Sequence, residues 1–190
     1  MGDKHWFGPN SEQSKGKGHP IMFGFNEAEH FDSFPEGGGY PKRFLQKAFE
    51  LMGVTHPDEV LHLCSGSMKS GITVDIRPET NPDYVCDARD TPFEDESFDF
   101  ILIDPPYSYE YARNLYGTEE HYPKPGQLMK EACRLLRPGG KVGILHFQVP
   151  MIRKPLKIRH VIGITTGLGY NIRAFTVVEK LKEEGDDDEG

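Results

Sequence analysis

The sequence predicts an α/β domain whose doubly wound sheet is mostly parallel. Strand-like segments follow one another closely up to residue 104, and an alternation of strand, helix and strand follows. The run Phe-Ile-Leu-Ile at 100–103 is apolar throughout, which is typical of a strand covered on both faces. Only seven residues separate the first predicted strand from the second, and seven separate the second from the third. Both crossovers are therefore predicted to be shortened.

Two helices are predicted, one before the strands and one among them. In the segment 42–52, apolar residues recur at helical spacing, namely Phe44, Leu45, Ala48, Phe49 and Met52. Pro41 suits a first helical turn, and Gly53 can end the helix. The second helix is predicted at 125–136, where the Arg-Pro-Gly-Gly of 137–140 ends it.

The strands are predicted at 59–64, 72–76, 84–88, 99–104, 141–147 and 172–180. In the second of them Ile72, Val74 and Ile76 alternate with polar residues, which indicates one buried face. Seven extended residues span roughly 23–25 Å, which is enough to return along a five-residue strand of about 17 Å. The short crossovers are therefore expected to be coil or a single helical turn. The sheet face that lacks helices would be lined by the N-terminal segment or by a partner chain.

Composition divides the chain into three parts. Residues 1–20 are rich in Gly, Ser, Lys and His, which indicates a flexible arm. Residues 183–190 hold six acids and no base, which is typical of a disordered tail. The part between them, 21–182, is long enough for a single domain with its own core. The net charge of −8 falls to about −2 once that tail is set aside.

Several classes of protein are disfavoured by the sequence. Three distant cysteines give neither a disulfide framework nor a CxxC metal site, and the histidines lack ligand spacing, so no metal is expected. No stretch approaches the roughly 18 apolar residues of a membrane span, and no signal-peptide core is visible. A cytoplasmic protein without membrane contact is expected. The lack of a GxGxxG motif argues against a dinucleotide oxidoreductase.

Small and acidic residues follow successive predicted strands. Ser65-Gly66-Ser67 follows the first strand, and Asp75, Asp87 and Asp104 stand at the ends of the next ones. In an open α/β sheet, ligands bind beyond the carboxyl ends of the strands. A turn of small residues lets backbone N–H groups approach a ligand, and the acids can accept from ribose hydroxyls or an adenine amino group. Their ordered recurrence favours a nucleotide-like cofactor over chance turns and caps.

The strongest motif is Asp104-Pro105-Pro106-Tyr107, directly after the apolar strand. Two prolines end the strand ladder and fix the backbone. Carbonyl groups and one aromatic ring are then displayed at the edge of the sheet. A packed strand terminator is the structural alternative, and it explains this combination less well.

On these residues the chain resembles the class I S-adenosylmethionine-dependent methyltransferases. Within them it resembles the amino-methyltransferases that carry a DPPY motif and modify adenine N6, cytosine N4 or guanine N2. The similarity covers roughly 37–180 and includes VLHLCSGS, CDARDTPFEDESFD and LLRPGGKVGIL. The segment GGGYPKRFLQKAF is similar to the N-terminal motif that helps enclose the methionine part of the cofactor. Where the family has a second glycine and a helix, this chain has Ser67-Met68-Lys69-Ser70.

The resemblance implies a Rossmann-like fold, S-adenosylmethionine as cofactor and a set of site residues. The implied cofactor contacts are Cys64, Ser65, Gly66, Ser67, Asp75, Ile76, Asp87, Ala88 and Asp104. The implied catalytic residues are Asp104, Pro105, Pro106 and Tyr107. The Asp104 carboxylate and the Pro105 carbonyl would accept hydrogen bonds from the acceptor amine. Tyr107 would stack on a base that has left its duplex.

Two further segments are candidates for substrate contact. The segment 147–178 lacks Asp and Glu, and its residues Arg153, Lys154, Lys157 and Arg159 could track phosphates or form a solvated connection. Arg173 belongs to the same acid-free segment. The tyrosine-rich segment 107–122, with Tyr109 near its start, could be a substrate lid or an amphipathic helix packed by its rings.

The predicted function is methyl transfer to an exocyclic amine of a nucleobase, first of all adenine N6 or cytosine N4 in DNA. The alternatives are an RNA base (guanine N2 or adenine N6), a protein or small-molecule amine, and a non-catalytic cofactor-binding subunit. An intact DPPY motif argues against the last. Nucleic acid is the expected partner, with DNA favoured over RNA. Because the predicted sheet is thinly covered, a homodimer is a further hypothesis. Because no long insertion could serve as a recognition domain, recognition of a specific sequence would need a separate partner.

Overall fold

The computed structural model describes residue 40 and residues 42–118, 121–165 and 171–182. The predicted arm (1–20) and acidic tail (183–190) lie outside the described residues, so the domain boundaries stay a prediction. No helix among the described residues is long and apolar enough to cross a membrane.

Among the described residues, seven strands form one sheet in the order β3-β2-β1-β4-β5-β7-β6, in which β7 runs antiparallel to the other six. The strands are β1 (Leu61–Leu63), β2 (Ile72–Asp75), β3 (Tyr84–Val85), β4 (Phe98–Ile103), β5 (Leu136–His146), β6 (Leu156–Ile164) and β7 (Arg173–Lys180). The helices are α1 (Lys42–Met52), α2 (Tyr109–Tyr111) and α3 (Pro125–Leu135). The predicted doubly wound, mostly parallel sheet is confirmed.

The first two crossovers are as short as the sequence predicts. β1 pairs with β2 and β2 pairs with β3, both in parallel. Turns alone connect β1 to β2, and a single 3₁₀ turn, Pro78–Thr80, lies between β2 and β3. Gly71 makes the first crossover sterically feasible: its φ is +74°, and a Cβ there would lie 2.4 Å from the Val60 carbonyl oxygen.

Two strands differ from the predicted ones: β6 is not predicted by the sequence pattern, and β5 begins earlier than predicted. The Arg-Pro-Gly-Gly that was expected to end a helix lies within β5. In β6, Lys157 and Arg159 are exposed, and a register shift between Ile158 and His160 interrupts the alternation of exposed and partly buried side chains. An edge strand pairs on one side only and can expose charged residues, so its apolar pattern is weak.

The core lies on both faces of the sheet, with α3 on one face and α1 on the other. Leu128, Ala132 and Leu135 of α3 are fully buried against the strands. On the opposite face, the ring of Phe44 in α1 meets Phe175 of β7 edge-on, with centroids 4.9 Å apart. Gly143 of β5 leaves room for the Phe175 ring and the Met52 sulfur, because it has no side chain of its own.

Replacing Gly143 with alanine is expected to lower the free energy of unfolding by about 1–3 kcal/mol, because the added methyl group overpacks this interface. A Cβ at this position would lie 2.6 Å from Phe175 and 2.9 Å from the Met52 sulfur. Urea denaturation measures the change. Gly126→Ala is the control, since a Cβ there meets nothing within 4 Å. Equal stability of both variants would contradict the packing described.

Candidate functional site

The carboxyl ends of β1, β2, β3 and β4 meet at one edge of the sheet, and a pocket opens there. The strand ends contribute most of its lining: Cys64, Ser65, Gly66, Asp75, Ile76, Arg77, Asp87, Ala88, Asp104 and Pro106. A later segment contributes Tyr116, Thr118, His121 and Pro123. Every residue that the sequence analysis assigned to the cofactor lines this pocket, except Ser67.

The turn after β1 is tied to β2 by its backbone. Ser65 N–H donates to the Val74 carbonyl over 2.9 Å, and Gly66 N–H donates to Asp75 Oδ2 over 2.8 Å. Cys64 and Gly66 adopt left-handed backbone conformations, with φ of 55° and 54°. The Ser65 hydroxyl is buried and finds no hydrogen-bond partner among the described residues. The turn therefore offers an unsatisfied polar group to the pocket.

Each of two pocket acids is held by an arginine two residues later. Asp75 accepts from the backbone N–H, Nε and Nη2 of Arg77, at 2.9, 3.1 and 3.3 Å. Asp87 accepts in the same way from Arg89, whose hydrogen bonds lower the pKa of that carboxyl. The repeated Asp-x-Arg spacing was a signal for these pairs that the sequence analysis did not use.

Asp75 has no unused acceptor position in this arrangement. A carboxylate offers about four lone-pair sites, and Arg77 and Gly66 together make four hydrogen bonds to it. A ligand hydroxyl can bind Asp75 only by taking the place of one of these donors. Arg77 has an alternative contact, because its guanidinium lies 4.6 Å from the centroid of the Tyr116 ring.

The segment after the Asp-Pro-Pro-Tyr motif forms one wall of the pocket. It consists of α2 and a π-helical turn, Ala112–Tyr116, that ends at Gly117 with a φ of +62°. Single π-helical turns occur often at functional sites. Tyr111 packs against Tyr107, with centroids 5.9 Å apart, while Tyr116 faces the pocket. One ring of the segment therefore packs inside the protein and another lines the pocket. Tyr109 is exposed and does not line the pocket.

Asp104 is the most perturbed acid of the pocket. Burial raises its pKa to about 7, although the hydrogen bond from Tyr107 and the charge of Arg173 act to lower it. The Tyr107 hydroxyl donates to Asp104 Oδ1 over 2.8 Å. A carboxyl group with a pKa near neutrality can change its protonation state at physiological pH, which is typical of functional sites.

The Tyr107 ring is enclosed by other side chains. The Phe147 ring centroid lies 4.8 Å away and the His146 centroid 5.9 Å away. Arg173 Cζ lies 5.1 Å from the Tyr107 centroid. The sequence predicted an aromatic ring displayed at the edge of the sheet. Instead, the Tyr107 ring is covered by its neighbours, and its hydroxyl points inward to Asp104.

The basic residues predicted to track phosphates lie away from this edge. β6 runs in the same direction as β5. Lys157, near the start of β6, and Lys141, in the middle of β5, both pair with Glu179 of β7, so Lys157 lies at the height of the middle of β5 and not at its carboxyl end. Arg159 Nε donates to Glu179 over 2.8 Å. Arg153 and Lys154 are exposed just before β6. The structure therefore does not bring these residues to the pocket, and phosphate binding by them stays a prediction.

Two buried polar residues lie behind the pocket. His62 of β1 is fully buried, and burial lowers its pKa to about 4, so the ring is neutral. The Tyr40 ring lies 6.0 Å from it, and neither side chain has a hydrogen-bond partner among the described residues. Among the residues that the structure describes, no group of three or more His, Cys, Asp or Glu residues could hold a metal ion.

The sequence profile of the methyltransferase domain family matches residues 37–144. The chain therefore belongs to this family, and it is a class I S-adenosylmethionine-dependent methyltransferase. The match covers α1, β1 to β4 and most of β5, and so it includes every strand whose carboxyl end forms the pocket. No curated protein matches the chain.

Solved structures share the fold. TrmN from Thermus thermophilus has a TM-score of 0.54 and 20% identity, over 76% of this chain and 50% of TrmN. The chain thus spans about half the length of TrmN. A chain of the complex between the Haloferax volcanii Trm112 methyltransferase activator and a methyltransferase has a TM-score of 0.52 and 16% identity, over 73% of this chain and 89% of that one.

Asp75→Ala is expected to weaken binding of S-adenosylhomocysteine about 10- to 100-fold, because hydrogen bonds to a charged group are worth about 1.5–3 kcal/mol. Isothermal titration calorimetry measures the affinity. The control is Asp99→Ala, which removes an exposed acid that pairs with Arg137 and does not line the pocket. Unchanged affinity in the folded Asp75 variant would contradict a cofactor role for this pocket.

Proposed function

We propose that the chain transfers a methyl group to an exocyclic amine of a nucleobase, first of all adenine N6 or cytosine N4 of DNA. The observation that carries this proposal is the position of the Asp104-Pro105-Pro106-Tyr107 motif. Asp104 and Pro106 line the same pocket as the strand-end acids and the Ser65-Gly66 turn. A methyl acceptor that binds at Asp104 would therefore lie next to a cofactor in that pocket, as transfer between two bound molecules requires.

The pocket residues fit the expected cofactor. Gly66 and the unsatisfied hydroxyl of Ser65 lie beside Asp75, which would hold the ribose once Arg77 has moved. Asp87 and Ala88, after the third strand, would contact the adenine. S-adenosylmethionine supplies a methyl group that is already electrophilic. The protein's task is to position the acceptor nitrogen and to accept the proton that this nitrogen loses.

Asp104 would perform that task at the acceptor nitrogen. An exocyclic amine is conjugated with its ring and is a poor nucleophile. Hydrogen bonds from the amine to the Asp104 carboxylate and the Pro105 carbonyl would favour a tetrahedral nitrogen that carries a lone pair. The amine would replace the Tyr107 hydroxyl as donor to Asp104 Oδ1. A carboxylate whose pKa is about 7 can then accept the proton that the amine loses.

A small-molecule amine is the second candidate acceptor. Lys157 and Arg159 lie toward the amino ends of the parallel strands, so they would not guide a polymer backbone into the pocket. Tyr107 is also enclosed by Phe147 and Arg173, so one of these must move before a base can stack on the ring. Against this alternative, Tyr109 follows the motif by two residues, and its exposed ring offers a surface on which a base could stack.

The direct test is mass spectrometry of nucleosides after the protein and S-adenosylmethionine have been incubated with unmodified DNA, RNA or free nucleosides. We expect a base methylated at its exocyclic amine. Asp104→Asn should reduce the product about 100-fold or more, because the amide cannot accept a proton. Asp99→Asn is the matched control. A methyl group on carbon or hydroxyl, or a fully active Asp104→Asn variant, would contradict the proposal.

The reaction should also depend on pH in a defined direction. Asp104 can accept the proton of the amine only when it is ionised, and its pKa is about 7. We therefore expect kcat/KM to be constant above about pH 8 and to fall roughly tenfold per unit below about pH 6. Circular dichroism at each pH controls for unfolding. A rate that stays constant down to pH 5.5 in the folded protein would show that Asp104 does not act as described.

A further inference from the structure

Three neighbouring strands meet around the Tyr107 ring. The last register pairs are Ile103 with Ile144, between β4 and β5, and His146 with Ala174, between β5 and β7. One position further along, Phe147 and Arg173 therefore come to the same edge as the Asp-Pro-Pro-Tyr motif. Their positions follow from the register of the sheet rather than from a flexible loop.

Arg173 contacts the motif through its guanidinium group. Arg173 Cζ lies 5.1 Å from the Tyr107 centroid, a distance at which a guanidinium and an aromatic ring attract each other. The hydroxyl of the same ring donates to Asp104 Oδ1 over 2.8 Å. Arg173 thus lies on a ring that is hydrogen-bonded directly to the acceptor carboxylate.

Arg173 supplies the positive charge that acts on Asp104. Its charge lowers the pKa of Asp104 and the pKa of Tyr107, while burial raises both. Four described groups that respond to the charge of Asp104 are neutral at pH 7, since each has a pKa above its ordinary value: Tyr40, Cys64, Tyr107 and Tyr116. The charged residues Asp75, Arg77 and Asp87 line the same pocket, where Arg77 is paired with Asp75. An opposite charge nearby favours the ionised form of a buried carboxyl group.

We propose that Arg173 is a positioning residue of the acceptor site, where its guanidinium holds the Tyr107 ring and favours the carboxylate form of Asp104. This inference rests on the acceptor site proposed above, and it adds a residue from β7, which lies outside the matched part of the family, residues 37–144. Arginine suits the role because its planar group lies flat on a ring and keeps its charge at any physiological pH.

The test measures the ionisation of Asp104 directly. The side-chain carboxyl carbon of Asp104 is labelled with ¹³C, assigned by comparison with Asp104→Asn, and titrated by NMR. The variants are Arg173→Gln, which removes the charge, and Arg173→Lys, which retains it. Arg173→Met is a second neutral variant whose long side chain still covers Tyr107, for use if the glutamine variant unfolds. Arg137→Gln is the control, because Arg137 is exposed and pairs with Asp99.

We expect the titration midpoint of Asp104 to rise in both neutral variants, to return toward the wild-type value in Arg173→Lys and to stay unchanged in Arg137→Gln. A midpoint that is the same in a folded neutral variant as in the wild type would overturn the proposal. So would an equal rise in the Arg137 control.

Activity provides the second measurement, on whichever acceptor the wild type methylates. The neutral variants should lose roughly two- to tenfold in kcat/KM at pH 7, because Asp104 then ionises at a higher pH than in the wild type. At pH 9, where Asp104 is ionised in all variants, they should recover most of this loss. A loss that is equal at both pH values would overturn the role. The NMR titration needs no methyl acceptor. It can therefore support the role of Arg173 even if the protein does not methylate a nucleobase, and it can contradict that role even if the protein does.

Discussion

The parallel alignment of β1, β2 and β4 is the constraint on which the rest of the structure depends. Because these strands point the same way, the residues that follow them meet at one edge of the sheet. The hydrogen bond from Gly66 N–H to Asp75 then ties the first turn to the second strand, with no helix between them. Shortened crossovers are compatible with the site, because the pocket uses the strand ends and the turns rather than the missing helices.

Burial of Asp104 creates a conflict between stability and function. Its pKa in the fold, about 7, is above the ordinary value of 3.8, so the folded protein binds this proton more tightly than the unfolded chain does. As the pH rises from about 4 to 7, this group therefore lowers the free energy of unfolding, because the unfolded chain releases the proton while the folded protein retains it. The hydrogen bond from Tyr107 and the charge of Arg173 reduce that cost. The residues that pack around the motif thus also determine its charge.

Local patterns predicted the parts of the fold that depend on local sequence. The helix α1, the short crossovers and the strand-end acids all follow from spacing along the chain. The strand β6 was missed, since an edge strand with exposed Lys157 lacks a clean alternation. Tyr116 reaches the pocket through a π-helical turn, and Arg173 reaches the Tyr107 ring through the insertion of β7 between β5 and β6. Neither position could be predicted from local sequence. The pairing of Asp75 with Arg77 is local, and its spacing was visible in the sequence.

A crystal structure of the complex with S-adenosylhomocysteine tests the central claim most directly, namely that the strand-end pocket holds the cofactor with its reacting end toward Asp104. We predict that the ribose hydroxyls bind Asp75, that Arg77 has moved from that carboxylate, and that the sulfur lies on the side of the pocket nearest Asp104. A ligand bound elsewhere, or one whose sulfur points away from Asp104 while Arg77 keeps its hydrogen bonds to Asp75, would contradict the account.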